Sequence, residues 1–514
     1  MFEAKRPLFP EILGLHGRWR AARPALVGVD GITGWGDLAV AIRRTANGLA
    51  ALGVLPGDRV GIVMSNTRAT VEATFGILAA GAVAVPINLS VSDDAMRSML
   101  SDAGVRALFI TADQAERVSR LRVGISTLLP TACFCSGAPA PDSWSDYESW
   151  RVRQSDAEPN FNISEDSLCN IIYSSGTTGI PKGIAHAQLG RLDWAYDLAL
   201  ALRYHSGART LVTLGLYSNI SWAMMLCTLL AGGTLIIHPS FDAARALAAI
   251  QTHRITHMAM VPVQFQRLLG HPDFAETDIS SMQAMMSCGS SLAPATKAAL
   301  FRHFPCGVIE LYGLTEGIIT TLDPEDAQGR LASVGKPIQG TDIRLIMEDG
   351  HEAARGETGE IVGRARFVMP GYWNRPDATE EATWTDAQGR RWLRTGDIGR
   401  LDEDGFLYIV DRKKDMILSG GQNIYPADIE AVLREHEAVS DCAVVGVPHS
   451  EWGETPLAVV VPGAEGGDAD ALKAWLNARV GRQQRVSAVV FRPDLPRNPN
   501  GKVLKRELRK LYSG

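Results

Sequence analysis

The segment YSSGTTGIPKG, residues 173–183, gathers hydroxyl side chains, glycines and one lysine within eleven positions. Backbone N–H groups of a glycine-rich turn can converge on an anion, and hydroxyls with a lysine add donors and positive charge. The strand-like stretch CNIIY precedes the turn, which places it where open α/β sheets bind ligands. The spacing differs from the Walker A pattern, because Lys182 follows Pro181 and precedes Gly183, and a hydroxyl-rich surface turn is the alternative. The segment predicts a phosphate-binding loop formed by Ser174, Ser175, Gly176, Thr177, Thr178, Gly179 and Lys182.

The whole chain has the length and composition of a globular protein with more than one domain. Its 514 residues exceed the ~250–300 at which a single hydrophobic core stops growing. The net charge of −6 argues against a nucleic-acid-binding protein, whose phosphate contacts usually need a basic surface. The seven cysteines lack zinc-type spacing and are expected to be buried thiols in a reducing compartment. Neither a signal-peptide pattern nor an apolar run of ~18–20 residues is present, so we expect a cytoplasmic protein without a membrane span.

Helical and extended apolar segments alternate along most of the chain, as in DLAVAIRRTANGLAALGV followed by DRVGIVMSN. This alternation predicts an α/β fold with mainly parallel sheets covered by helices on both faces. From residue 357 the segments resemble short strands joined by tight turns, which predicts a β-rich subdomain. Segments such as PADIEAVLREHEAV and PLAVVVP then predict a small C-terminal α+β domain. We place the two domains at residues 1–413 and 414–514.

Several motifs occur in an order and spacing that resemble the adenylate-forming superfamily of acyl-CoA synthetases, peptide-synthetase adenylation domains and luciferases. LGVLPGDRVGIVMSN and GILAAGAVAVPIN are similar to its N-terminal core, and YSSGTTGIPKG is similar to its phosphate loop. ELYGLTEG, MPGYWNRPDAT, LRTGDIGRLDEDGFLYIVDRKKDMILSGGQNIYPADIE and PRNPNGKVLKREL are similar to its later motifs. The resemblance covers nearly the whole chain and implies a two-domain enzyme with a mobile C-terminal domain.

The resemblance implies a ligase that joins a carboxylate to ATP, giving an acyl-adenylate and pyrophosphate. In YGLTE, Glu316 resembles the carboxylate that supports Mg²⁺, and Thr315 resembles a hydroxyl that contacts phosphate. Tyr312 would stack on adenine, beside Gly313. Taken alone, Tyr312 and Glu316 would more often be a packed ring and a solvated acid.

Three further segments resemble the parts of the family that hold the nucleoside. Gly289, Ser290 and Ser291 occupy the place of the adenine pocket, although relatives commonly have two glycines there. Asp397 in RTGD would accept the ribose hydroxyls, and Arg412 in VDRKKD would donate to the same sugar. An isolated Thr-Gly-Asp is otherwise usually a turn.

The C-terminal region resembles the part of the family that changes position between two half-reactions. Lys502 in NPNGK matches the mobile catalytic lysine, whose ammonium would bridge the carboxylate and the α-phosphate; the alternative is a solvated basic helix. In the second half-reaction the thiol of coenzyme A would attack the adenylate and release AMP. Lys414 matches the hinge, and Gly420 and Gly421 would line the passage for coenzyme A.

The segment GLYSNISWAM differs from the family's usual Pro-Leu-Phe-His-type segment, whose histidine walls the acyl pocket. Gly215 replaces the proline and Ser218 stands at the histidine's place. With Ile220, Gly313 and Gly317 as further pocket residues, the small side chains suggest room for a bulky apolar fatty, aryl or alicyclic acid. Sequence drift at a tolerant wall explains the same residues equally well.

The acceptor and the oligomeric state stay open at this point. GVPHSEWGETPLAVVV is similar to free-standing ligases, so coenzyme A is the expected acceptor, and a separate acyl-carrier protein is the alternative. A luciferase-like adenylate oxidase and a silent nucleotide-binding module are the alternatives from other classes. The expected partners are therefore ATP, a carboxylic acid and coenzyme A, in a monomer or a homodimer.

Overall fold

The structure is a computed structural model that describes residues 6–137, 143–159, 163–174, 181–419, 422–463, 466–497 and 501–512. Two compact units are present. The first contains the described residues up to Leu331 together with Pro337–Thr341 and Arg364–Thr383. The second contains Ala332–Lys336, Asp342–Gly363 and the described residues from Trp384 onward.

The strands are numbered in chain order. They are β1 Pro24–Gly28, β2 Gly31–Gly34, β3 Arg59–Val63, β4 Val83–Pro86, β5 Ala107–Thr111, β6 Cys133–Ser136, β7 Ser145–Asp146, β8 Leu168–Ser174, β9 Lys182–Ala187, β10 Arg209–Val212, β11 Thr234–Ile237, β12 His257–Met260, β13 Ala284–Ser287, β14 Ile309–Gly313, β15 Ile319–Leu322, β16 Lys336–Pro337, β17 Thr341–Ile346, β18 Thr358–Ala365, β19 Gly371–Tyr372, β20 Thr383–Thr385, β21 Arg391–Leu401, β22 Leu407–Arg412, β23 Ile417–Ser419, β24 Gln422–Ile424, β25 Val439–His449, β26 Gly453–Pro462 and β27 Ala488–Phe491.

The helices alternate with these strands. They are α1 Phe9–Trp19, α2 Trp35–Ala51, α3 Arg68–Ala79, α4 Asp93–Ala103, α5 Ala115–Arg122, α6 Tyr147–Val152, α7 Gln188–Ala201, α8 Asn219–Ala231, α9 Ala243–His253, α10 Pro262–Leu269, α11 Pro294–His303, α12 Pro376–Glu381, α13 Pro426–Leu433, α14 Ala469–Asn477 and α15 Lys505–Tyr512. Within the described ranges, none of these helices combines the length and apolarity needed to cross a bilayer.

Two mainly parallel sheets form the first unit. One runs in the order β15-β14-β13-β12-β10-β11-β1-β2, with antiparallel pairing only for β15 and β2. The other runs β19-β9-β8-β4-β3-β5-β6-β7, where β9 and β19 are the antiparallel members. The largest apolar cluster joins residues of α1, α2, α3, α7 and α8 to both sheets. Strands such as β4 and β5 are buried along their whole length, which is why they are continuous apolar runs in the sequence.

The second unit contains two smaller sheets. In one, β21 pairs antiparallel with β18 and with β22. In the other, β26 pairs antiparallel with β23 and β25 and parallel with β27. Helices α13 and α14 pack on one face of this second sheet, where Leu433 and Leu476 are fully buried, and α15 covers the other face with Leu508.

The predicted α/β class is confirmed, together with the large helix-covered part, the β-rich subdomain and the small C-terminal part. The predicted boundary after residue 413 falls inside the second unit, between β22 and β23, and stays a prediction. The seven cysteines are free thiols, and all but the half-buried Cys306 are buried.

A buried ion pair fastens α11 to β14. Lys297, only 1% exposed, pairs with Glu310 and donates to the carbonyl oxygen of Leu331 at 2.5 Å. Glu310 Oε1 also accepts from the backbone N–H of Leu292 at 2.9 Å. Burial raises the pKa of Glu310, against the lowering effect of Lys297. The pair therefore fixes the segment that follows β13 against the strand that leads into YGLTE.

Replacing Lys297 by Met should lower the free energy of unfolding by about 3–5 kcal/mol, because Glu310 would lose the cation that compensates its burial. The double variant Lys297→Met/Glu310→Leu should regain part of this loss. Denaturant unfolding of the full chain measures both, with the exposed Lys510→Met as control. A Lys297→Met protein that unfolds at the wild-type midpoint would contradict this role.

Candidate active site

The predicted phosphate loop joins two antiparallel strands of the first unit. Ser174 ends β8 and pairs in register with Lys182, which begins β9. The two flanking residues are therefore held side by side. Five residues of this prediction lie outside the described residues: Ser175, Gly176, Thr177, Thr178 and Gly179.

The YGLTE segment forms the turn between β14 and β15. Tyr312 pairs with Thr320 and Gly313 with Ile319, and the Leu314 N–H donates to the Ile318 carbonyl at 3.1 Å. Gly317 has a φ of +118°, and a Cβ there would come within 2.7 Å of the Val368 backbone. Glycine is thus required at this position, and the turn holds Thr315 and Glu316 at its tip.

His186 of β9 anchors this turn through a hydrogen bond whose direction is fixed by a buried arginine. Arg191, 1% exposed, approaches His186 Nδ1 at 3.1 Å and donates to Asn170 Oδ1 at 2.8 Å. Because a guanidinium only donates, Nδ1 is the acceptor and Nε2 carries the proton. His186 Nε2 therefore donates to the carbonyl oxygen of Thr315 at 2.8 Å. This chain connects the strand after the phosphate loop to the YGLTE turn.

Tyr372 touches both charged residues assigned to the nucleotide. Its hydroxyl donates to Glu316 Oε1 at 2.8 Å, and the Lys182 ammonium lies 5.0 Å from the centre of its ring. The structure thus brings Lys182 and Glu316 to one place in the first unit, and their contacts with the nucleotide stay predictions. Burial, followed by the charge of Glu316, raises the pKa of Tyr372, so the phenol stays protonated.

The segment that carries Tyr372 is fixed by its neighbours. β19 pairs with β9, and the Trp373 N–H donates to the Gly183 carbonyl at 2.7 Å. Asp102, at the end of α4, accepts from the Tyr173 hydroxyl at 2.7 Å and from Arg375 at 3.2 Å. Its carbonyl oxygen accepts from the Trp373 indole at 3.0 Å. Asp102 therefore ties the strand before the phosphate loop to the segment after Tyr372.

The candidate adenine-pocket residues follow β13, the parallel neighbour of β14. Gly289 and Ser291 are exposed and Ser290 is half-buried, just beyond the carboxyl end of the strand. Gly289 has a φ of +91°, which a residue with a side chain rarely adopts. The loop thus follows the strand that pairs with β14, which carries Tyr312, and the adenine pocket stays a prediction.

In the second unit, the two predicted ribose residues form an ion pair. Asp397 and Arg412 are register partners on β21 and β22, and Asp397 Oδ1 lies 2.9 Å from Arg412 Nε. The Asp397 side chain is 3% exposed. The two residues assigned to ribose thus lie together, and their contact with the sugar stays a prediction.

Lys502 belongs to the same cluster. Burial, followed by the charge of the nearby Arg412, lowers the pKa of Lys502 to about 8, although the charge of Asp397 opposes the change. Burial likewise lowers the pKa of Lys414. Arg509 of α15 donates to the carbonyl oxygens of Lys414 and Asp415, each at 2.9 Å, so the proposed hinge is bound by the C-terminal helix.

Two residues assigned to the coenzyme A passage cannot be placed. Gly420 and Gly421 lie outside the described residues. They follow Ser419 and precede Gln422, which are register partners on β23 and β24. Their assignment stays a prediction.

The glycines assigned to the acyl pocket lie against protein atoms and do not leave open space, contrary to the expectation from the sequence. A Cβ on Gly215 would lie 2.1 Å from the Tyr217 ring, so this glycine accommodates a neighbouring side chain and does not leave space. Gly313 and Gly317 have their missing Cβ positions against backbone atoms. Ser218 is buried and caps α8, accepting from the Ser221 N–H at 3.2 Å. Ile220 is half-buried at the start of α8. These residues no longer indicate the size of the acid.

The carboxylate of Glu316 suits Mg²⁺ held jointly with phosphate oxygens. Among the described residues, no group of three or more His, Cys, Asp or Glu side chains forms a metal cage. Mg²⁺ usually binds nucleotides through one or two carboxylates and keeps several waters. The half-buried Glu316, oriented by Tyr372, fits that donor set.

Comparison with known proteins agrees with this arrangement. Residues 17–373 match the family described as AMP-binding enzyme, and residues 428–502 match the AMP-binding enzyme C-terminal domain. The chain belongs to the AMP-binding enzyme family. The predicted membership of the adenylate-forming superfamily is thereby confirmed.

Individual members of the AMP-binding enzyme family are similar over nearly their whole length. A feruloyl-CoA synthase of an Amycolatopsis species is 36% identical, covering 93% of this chain and 94% of the relative. The long-chain-fatty-acid–CoA ligase FadD13 of Mycobacterium tuberculosis is 33% identical, covering 91% of both. ATP-bound MatB from Rhodopseudomonas palustris superposes with a TM-score of 0.88 at 26% identity, covering 98% of this chain and 99% of that chain.

Four residues of the first unit's site were not predicted from the sequence: Tyr372, His186, Arg191 and Asp102. Tyr372 lies inside the motif MPGYWNRPDAT, but nothing in that motif points to Glu316, 56 residues away. His186 and Arg191 stand as polar residues among apolar neighbours, which is a usable signal for a buried polar network.

His186 should remain neutral, with its proton on Nε2, even at pH values well below the ordinary pKa of histidine. Burial and the charge of Arg191 lower its pKa. The unfolded chain binds a proton near pH ~6.5 that the folded chain does not, so stability should fall as the pH drops below that value. Nitrogen-15 NMR of labelled histidines reads the tautomer directly. An imidazolium signal for His186 at about pH 5.5 would contradict the assignment.

Proposed function

We propose that this protein is an ATP-dependent carboxylic acid–CoA ligase. A carboxylate oxygen attacks the α-phosphorus of ATP, the bond to the β-phosphate breaks, and pyrophosphate leaves. The thiol of coenzyme A then attacks the acyl carbon of the adenylate, and AMP leaves. The observation that carries the proposal is the junction of Lys182, Glu316 and Tyr372, which unites three separate motifs of the AMP-binding enzyme family.

In the first half-reaction the residues must neutralise the charge of two approaching anions. The loop beginning at Ser174 and ending at Lys182 would bind the terminal phosphates. Glu316 would hold Mg²⁺, which when bound withdraws charge from the phosphate oxygens. Thr315 would contact phosphate from the same turn, whose backbone is fixed by His186.

The second unit would supply the ribose contact and the lysine. Asp397 would accept ribose hydroxyls while orienting Arg412, its ion-pair partner. Lys502, in the same cluster, would bring its ammonium between the carboxylate and the α-phosphate. Both roles rest on the match of RTGD, VDRKKD and NPNGK to the family and on the contacts within the unit.

The second half-reaction needs Lys502 to give way to the thiol. A rotation of residues 414–514 about Lys414 would achieve this, with Gly420 and Gly421 along the thiol's path. Arg509 donates hydrogen bonds to the carbonyl oxygens of Lys414 and Asp415, so the backbone conformation at Lys414 depends on a contact with α15. This contact supports Lys414 as the hinge. Hinges concentrate such changes in a few residues.

The acid is proposed to be bulky and apolar, of the aryl or fatty class. Relatives that act on ferulate and on long-chain fatty acids support this class. A relative named as a fatty acid–[acyl-carrier-protein] ligase makes a carrier protein the alternative acceptor to be tested.

Pyrophosphate release across a panel of aryl, alicyclic and fatty acids, each with and without coenzyme A, tests the proposal. We expect release with one acid class, and stoichiometric AMP and thioester once coenzyme A is present. Adenylate that accumulates with coenzyme A but is discharged by a phosphopantetheinyl carrier protein would identify the alternative acceptor. Absence of pyrophosphate release with every acid would contradict the function.

Lys502→Ala should slow adenylation by about 10²–10³-fold, because it removes a donor positioned for the transition state. Thioester formation from presynthesised acyl-adenylate and coenzyme A should stay near the wild-type rate. Lys510→Ala, which removes an exposed lysine of the following helix, is the matched control. Equal loss of both half-reactions in Lys502→Ala would contradict the assigned role.

The adenylation rate should fall above about pH 8, because Lys502 must be cationic and burial lowers its pKa to about 8. An ordinary lysine would keep its charge until a pH of ~10.4. The kcat/KM for pyrophosphate exchange, measured between about pH 6.5 and 9.5, reports the free enzyme. Lys502→Arg should abolish this decline at alkaline pH. A wild-type rate that stays constant up to about pH 9.5 would contradict the role of the Lys502 charge.

A further inference from the structure

Tyr372 occupies an unusual place between two opposite charges of the first unit. Its hydroxyl donates to the Glu316 carboxylate at 2.8 Å, while its ring face receives the Lys182 ammonium at 5.0 Å from the centroid. A phenol suits both contacts, since its O–H is a hydrogen-bond donor and its ring face attracts cations. One neutral side chain therefore donates a hydrogen bond to a carboxylate and interacts with an ammonium through its ring face at the same time.

The backbone gives this phenol a fixed position. The Tyr372 N–H donates to Thr379 Oγ1 at 2.9 Å, and Thr379 in turn donates to the Arg375 carbonyl at 2.9 Å. Tyr372 is also the register partner of Ile184 on β9, two residues after Lys182. On the other side, the Met369 N–H donates to the Glu316 carbonyl at 2.8 Å. The same segment thus holds the backbone beside both charged residues.

We propose that Tyr372 is a positioning residue that orients Glu316 for the metal of a magnesium nucleotide and holds Lys182 as a separate cation for phosphate. This inference rests on the proposed function and adds a residue to it. Without the phenol, both side chains would lose the neutral group that they share, and an ion pair between Lys182 and Glu316 would leave neither charge available to phosphate or metal. Carboxylates that bind metals generally depend on such hydrogen-bonded neighbours for their orientation.

The two contacts can be removed separately. Tyr372→Phe deletes the hydroxyl that orients Glu316 and keeps the ring face for Lys182. Tyr372→Leu deletes both. Tyr147→Phe is a matched control, because Tyr147 is a buried tyrosine of the same unit whose hydroxyl bonds Thr45 at 3.0 Å.

Calorimetric titration of ATP into the full-length proteins, once with excess Mg²⁺ and once with EDTA, tests the proposal without any turnover. In Tyr372→Phe the gain in ATP affinity that Mg²⁺ provides should fall by about tenfold or more. Its affinity in EDTA should stay within about twofold of wild type, because Lys182 keeps its ring contact. Tyr372→Leu should weaken ATP binding in EDTA as well, and Tyr147→Phe should match wild type in both titrations.

Two results would overturn the role of Tyr372 while leaving the ligase proposal intact. One is a Tyr372→Phe protein that keeps the full wild-type gain from Mg²⁺. The other is an equal loss in both titrations, which would indicate a general structural defect. A wild-type protein that binds no ATP with Mg²⁺ would instead contradict the proposed function, and the role of Tyr372 with it.

Discussion

A site for a magnesium triphosphate must hold cations and carboxylates close together without letting them neutralise each other. The first unit meets this constraint with Tyr372, which contacts both Lys182 and Glu316. In the second unit, Asp397 is almost fully buried and is paired with Arg412. Lys502 stands beside that pair, and burial lowers its pKa although the charge of Asp397 acts in the opposite direction. Within each unit, the charged side chains are therefore controlled by their neighbours and by burial.

Buried and half-buried polar groups hold the strands and the turn that carry the charged residues of the first unit. Arg191 fixes the tautomer of His186, and His186 then binds the backbone of Thr315. Asp102 collects donors from Tyr173 and from the segment after Tyr372. Such networks are costly when incomplete, so they specify one arrangement of the strands that meet there.

Most of the fold could be predicted from the sequence, because the apolar strands and the helices between them have clear periodic patterns. Lys182, Glu316, Asp397, Arg412 and Lys502 were named as site residues because their motifs resemble those of the family, and their roles stay predictions. Tyr372 and His186 were not, because their partners lie 56 and 129 residues away and local patterns carry no information on such contacts.

At the residues predicted to line the acyl pocket, the sequence pattern was misleading. Gly215 suggested open space, yet the Tyr217 ring lies where its Cβ would be. Gly317 suggested the same and is required by backbone contact and a positive φ. A glycine in a sequence indicates that another group approaches the backbone closely at that position. Only the structure shows whether that group is a ligand or another part of the protein.

The most direct test of the central claim follows the oxygen atoms of the acid. If the carboxylate attacks the α-phosphorus and the thiol then attacks the acyl carbon, one carboxylate oxygen must remain on the phosphate of AMP. An acid labelled with oxygen-18 in its carboxyl group, turned over with ATP and coenzyme A, should therefore yield AMP that carries one heavy oxygen. Heavy oxygen in inorganic phosphate, or AMP without label, would contradict an acyl-adenylate mechanism.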